Sequence, residues 1–258
     1  MIYISHFSIA TVTWGPNLQA TDAFVDMPRT EADAKSQHFT MISDCSGHQN
    51  FLGKRYTNND ELTIMVYDVN GYIAGMQARV PDGLSNGYPG TSLRGHPFIK
   101  EGNNWYVTVY FVDPATICTT GRTHAQYVHD GTGTGLFIQN GTDPLKSIRI
   151  PHSEVQAKAT NWGYGKCLPT MGKHYFHALS LDMSCDHFFP VFLLYNGGNL
   201  DAFGWAFKAN IQSPRAEHPP NNTIAVVMDP VPRCISISGT LTTMHIFLNS
   251  QIQDNLCS

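Results

Sequence analysis

Charge is scarce in this sequence. Asp, Glu, Lys and Arg make up 14% of its 258 residues, against about 25% in an average soluble protein. No run of Lys and Arg occurs and the net charge is -4, so the electrostatic footprint of a nucleic-acid binder is missing. No stretch of about 18 apolar residues exists, which excludes a membrane-spanning helix. No two cysteines form a Cys-x-x-Cys pair, so the usual zinc-knuckle and thioredoxin spacings are absent. Neither a Gly-x-Ser-x-Gly elbow nor a His-Glu-x-x-His helix is present, which disfavours an α/β-hydrolase and removes the zincin pattern. The Gly/Thr-rich stretch Gly131 to Gly135 lacks the lysine of a phosphate-binding loop. A basic start is missing too. Met1 to Trp14 is apolar but carries His, Ser and Thr, and it reads as a first strand rather than a signal peptide. An already removed leader stays open.

What is present begins with six dispersed cysteines, Cys45, Cys118, Cys167, Cys185, Cys234 and Cys257. An even number of scattered cysteines reads as three disulfides formed in an oxidising compartment. Sequence alone leaves the pairing open; short spacing suggests Cys167 with Cys185 and Cys234 with Cys257. Asn140-Gly-Thr and Asn221-Asn-Thr are N-glycosylation acceptors. Both features point to a secreted, extracellular glycoprotein.

The chain reads as one mainly β domain over 1–258, sandwich or barrel-like, with few short helices. Leu62 to Asp68 and Tyr72 to Val80 flank Asn70-Gly71, whose tolerance of positive φ marks a hairpin. Val191 to Tyr195 and Leu200 to Phe207 flank a second turn, Asn196 to Asn199. Trp105 to Val112 is β-branched and aromatic and looks like a central strand. Shorter strands are expected at Gly135 to Gln139, Ser147 to Ile150 and Ile224 to Met228. Cys234 to Leu248 reads as a strand broken at Gly239. Helices are expected only at Glu31 to Phe39 and Ser153 to Asn161, with one turn at Pro114 to Cys118.

Twelve histidines are many for this length, and imidazole is both the commonest metal ligand and an acid/base near neutral pH. Cys167 to Pro190 holds His174, His177 and His187. On a strand, His174 and His177 stand an odd number apart and face opposite sides, so only one can enter a given site. His174 follows the Met171-Gly172 turn and is the stronger candidate. Glu217 lies in a polar, Pro-rich loop, and His245 lies inside an apolar strand, where a lone polar group asks for a partner. His174, Glu217 and His245 form the expected metal-ligand set. His177 and His129, the latter beside Asp130, are candidates for proton transfer. A two-His, one-carboxylate set suits a divalent transition metal, zinc for water activation or iron for oxygen chemistry. Trp162, Tyr164 and Trp205 are the candidate rings for a small-molecule or carbohydrate ligand.

Pro169-Thr-Met-Gly-Lys-His174, the Glu217 loop and Thr243-Met-His245 together resemble a pattern in uncharacterised secreted β-proteins of invertebrates and bacteria that carry a Pro-x-Met-Gly-x-His element. Tyr67 to Gly75 is similar to members from marine animals. The resemblance implies convergence of His174, Glu217 and His245 and carries no activity with it. Three readings stay open: a secreted metal-binding protein, with a metal-dependent hydrolase or oxygen-using enzyme as its catalytic form; a non-catalytic lectin-like or small-molecule-carrying module; and an extracellular structural protein. Nothing specifies an oligomeric state.

Overall fold

The computed structural model describes residues 11–13, 24–46, 50–60, 62–237, 240–248 and 257. The expected first strand therefore falls largely outside the described residues, as does the break at Gly239. The described chain is mainly β, with two antiparallel sheets and a few short helices. No described helix is long and apolar enough to cross a membrane.

Strands β1 (Thr11–Thr13) and β2 (Phe24–Asp26) precede helix α1 (Glu31–Ser36), whose first turn is capped by the Thr30 hydroxyl accepting from the Asp33 amide. Strands β3 (Thr40–Ser43), β4 (Lys54–Thr57), β5 (Thr63–Tyr67), β6 (Ile73–Pro81), β7 (Ile99–Glu101) and β8 (Asn104–Tyr110) follow. The β5–β6 hairpin turns where expected. Gly71 adopts φ 86°, and the Asp68 carboxylate accepts from the amides of Asn70 and Tyr72. Helix α2 (Pro114–Ile117) comes next, then α3 (His124–Asp130), a helix absent from the sequence expectations although Thr123 and Gln126 form its capping box. Strands β9 (Leu136–Ile138) and β10 (Ile148–Ile150) complete the first sheet.

The chain divides into two compact units. The described residues of Asp26–Asp82 and Arg94–Ile150 make one. Its sheet runs β10-β9-β8-β6-β5-β4-β3, with β7 also paired to β8.

The other unit is built mainly from Gly83–Leu93 and the described residues after Pro151. Helix α4 (Glu154–Lys158) leads into β11 (Trp162–Leu168), β12 (Gly172–His177), β13 (Val191–Asn196) and β14 (Asn199–Phe207). Helices α5 (Asn221–Val227) and α6 (Arg233–Ile237) then precede β15 (Thr242–Phe247). The sheet order is β11-β12-β13-β14-β15-β1-β2. The strands expected at 224–228 and from Cys234 are corrected here to α5 and α6. Pro220 and Pro232 sit just before the two helices, which suits a helix start, and so short an Ile/Val run fits either state.

The three disulfides are Cys45–Cys118, Cys167–Cys257 and Cys185–Cys234. The local pairings suggested by spacing are therefore corrected. Cys167 and Cys185 stand on separate elements, β11 and a 3-10 turn, and each finds a cysteine from a segment distant in sequence. Each disulfide closes within one unit.

Candidate functional site

Alternation along β12 to β15 places one row of side chains on a common face. Phe176 pairs with Phe192, Phe192 with Gly204, and Gly204 with His245; His174 pairs with Leu194 in the next row. A Cβ on Gly204 would collide with the Phe192 ring and come within 2.6 Å of the Met244 carbonyl oxygen. The missing side chain therefore lets Phe192 lie flat across β14 and pack against both histidines, 5.7 Å from His174 and 5.0 Å from His245 between ring centres. Tyr175 and Tyr195 point to the opposite face, where Tyr175 donates to Glu154 of α4 at 2.6 Å and Tyr195 to the Pro151 carbonyl at 2.6 Å.

The histidine face opens into a cavity of about 570 Å³. Its other wall is the segment from Ala216 through α5 to Met228. Glu217 joins the sheet by pairing its amide and carbonyl with those of Thr243 on β15, at 2.8 and 2.9 Å. Lys166 on β11 donates to the Ala225 carbonyl at 2.8 Å and so holds α5 in place. Of the nineteen described residues that line it thirteen are apolar, Leu168, Met171, Ile224 and Val227 among them, and none of the nineteen is Lys or Arg.

Into this apolar wall the sequence sets the three groups expected to converge. His174, Glu217 and His245 all line the cavity. The His174 Nδ1–H donates to the Gly172 carbonyl at 3.1 Å, which leaves Nε2 as a lone-pair acceptor. That Nε2, the His245 Nδ1 and the Glu217 Oε1 are all buried without a hydrogen-bond partner. His245 Nδ1 and Glu217 Oε2 are 3.6 Å apart, too long for a hydrogen bond.

Electrostatics keep this group uncharged. Burial pulls His174 down to about 4, opposed by the Gly172 carbonyl and more weakly by that of Lys166. Burial and repulsion from His174 bring His245 to about 3. Burial raises Glu217 to about 7, opposed by the Thr243 side chain. An acid pushed up and a base pushed down do not make an ion pair, so the His245–Glu217 contact is neutral between those values despite its short distance.

No family model, curated protein or solved structure matches the chain.

The remaining sequence candidates stand elsewhere. His177 caps β12 on the other face and packs edge-on against Trp162 at 5.2 Å. His129 lies on α3 in the first unit, exposed, with its Nδ1 2.7 Å from Asp130. Neither lines the cavity. Trp205 is fully buried against Phe203 and offers no surface to a ligand, so it is a core residue. Trp162 is buried on Phe189 and His177, and Tyr164 is exposed on strand β11. Asn140 is half-buried after β9, and Asn221 is exposed at the first position of α5. Phe192, Met171, Ile224 and Val227 complete the cavity and were not singled out as site residues in sequence. The one sequence signal available for α5 was Pro219-Pro220-Asn-Asn, a helix start misread as a loop before a strand.

Proposed function

We propose that this is a secreted metal-binding protein in which His174, Glu217 and His245 hold a divalent transition metal, zinc or iron, at the polar floor of an apolar cavity, with coordination positions left for a ligand or substrate. The single observation that carries the reading is the trio of unpartnered buried atoms in that cavity. Each unpartnered buried polar atom costs about 1–3 kcal/mol, and one cation would satisfy all three. Two neutral imidazoles and a carboxylate are a donor set these metals accept. The other oxygen of the Glu217 carboxylate, Oε2, lies 3.6 Å from His245 Nδ1, close to the roughly 3.4 Å edge of a zinc tetrahedron. The His174 and His245 ring centres are 5.8 Å apart, against about 5 Å for two imidazoles on one zinc. The Gly172 carbonyl orients His174 in the way outer partners of ligating histidines do. Three disulfides support secretion, and Asn140 and Asn221 are the proposed glycan sites.

One observation favours a second reading, a non-catalytic module that binds a small molecule without metal. Among the described residues no three His, Cys, Asp or Glu side chains enclose a metal site as they are placed. The first reading therefore requires a side-chain shift at His174 or Glu217 on binding.

Elemental analysis of untagged protein from a secretory host, after incubation with zinc and with iron, separates the two. Near-stoichiometric metal is expected in the parent protein. Far less is expected in His174→Asn, which can still donate to Gly172 yet has no atom at the Nε2 position. His245→Ala and Glu217→Gln should behave alike. Unchanged metal content in these variants would remove the assigned ligands, and no uptake in the parent would leave the metal-free module.

A further inference from the structure

We infer that the molecule received by this cavity is an apolar carboxylate, its hydrocarbon body held by α5, Leu168, Met171 and Phe176 and its oxygen anion at the His174–Glu217–His245 floor. The inference rests on the metal reading for its head group and on the cavity alone for its body.

The body follows from the lining. A cavity of about 570 Å³ with thirteen apolar residues of nineteen falls within the roughly 300–1,000 Å³ of small-molecule sites. Sugars and other polyols would bring many hydroxyl groups to few partners, since among the described residues only Thr223 and Thr243 bring a hydroxyl to the lining. The lining polar groups Glu217, His218, Thr243 and His245 are gathered where the Ala216–His218 segment meets β15. His218 already uses its Nε2 on the Ile211 carbonyl at 3.2 Å. One end of the guest is therefore polar and the rest is not.

The charge of that end follows from the donor set. Imidazoles ligate as neutral groups and Glu217 as a carboxylate. With a divalent ion the floor carries one net positive charge, and among the described residues no other carboxylate lines the cavity to neutralise it. An anionic oxygen is the complement. Without metal that positive charge is gone and the preference for an anionic head goes with it, so head-group preference reports on the ion.

The test uses the secreted protein loaded with zinc, its content measured, and N-phenyl-1-naphthylamine as a fluorescent apolar probe. Decanoate, decanol and decylamine share one chain and differ in head group. In the loaded protein, decanoate should displace the probe at a concentration at least tenfold below decylamine, and chelation with EDTA should abolish or reverse that order. Val226→Trp adds a ring on the cavity wall at a site 47% exposed, so it spares the core; probe affinity should fall at least tenfold. Zinc uptake without probe binding would overturn the apolar guest and leave the metal reading standing. Probe binding without zinc uptake would overturn the metal reading and the carboxylate with it. Zinc uptake with decylamine equal to or better than decanoate would overturn the head group.

Discussion

Glu31 shows how one side chain can organise an element. It accepts from Lys35 at 2.7 Å, Lys54 at 2.8 Å and the Tyr56 hydroxyl at 2.6 Å, joining α1 to β4. Burial alone would raise its pKa, but these donors hold it near 2. The folded value lies below the ordinary carboxylate value of 4.5. The contribution to stability is therefore complete above about pH 4.5 and is lost as pH falls towards 2. Thermal denaturation between pH 6 and 2 should show this loss. Glu31→Gln should melt lower at pH 6 and show a flatter slope; a parallel slope would mean that Glu31 does not carry the effect. At the same scale, His174 and His245 differ from the other described histidines by being enclosed among rings with a nitrogen left over. His245 was legible as a polar group inside an apolar strand, and His174 by its place after the Met171-Gly172 turn.

At the scale of elements, the Phe192–Gly204 fit determines where both histidine rings lie. Gly204→Ala should destabilise the protein by about 1–3 kcal/mol through overpacking and lower zinc uptake by displacing Phe192. Adding Phe192→Leu should restore part of the stability, because the two positions share one space. Chemical denaturation of the two singles and the double checks this, and additive losses would refute the coupling. Both hairpins were legible because Asn-Gly and Gly-Gly turns dictate backbone angles locally. Helices α5 and α6 were not, because Ile224 to Val227 and Cys234 to Ile237 are too short for their period to be read, and burial of Ile224 and Met228 decides the outcome. The cavity walls were invisible for a related reason. An apolar residue facing a void and one facing a neighbour carry the same letter. Trp205 misled in the opposite direction, since a central strand buries any ring it carries.

At the scale of the whole molecule, low charge leaves the fold to apolar burial and three disulfides. Cys45–Cys118 spans 73 residues, and loop-closure entropy assigns such a link about 4 kcal/mol. Replacing both cysteines by Ala should lower the stability of the first unit by that order. Probe binding in the second unit's cavity should persist, since neither cysteine belongs to that unit. Loss of probe binding in a protein that still folds would show that the cavity depends on the first unit.

The placement of the three donors also sets a temporal order. β12 to β14 pair through neighbouring segments, but the floor of the cavity is finished only when β15 docks on β14 and draws Glu217 against Thr243. During synthesis His174 leaves the ribosome well before Glu217, and His245 comes last. A single emerging histidine is a weak trap for any ion. In a zinc finger the metal recruits the fold; for the metal proposed here the sheet would have to close first, and loading would be the final step of maturation, carried out in whatever compartment the finished chain has reached.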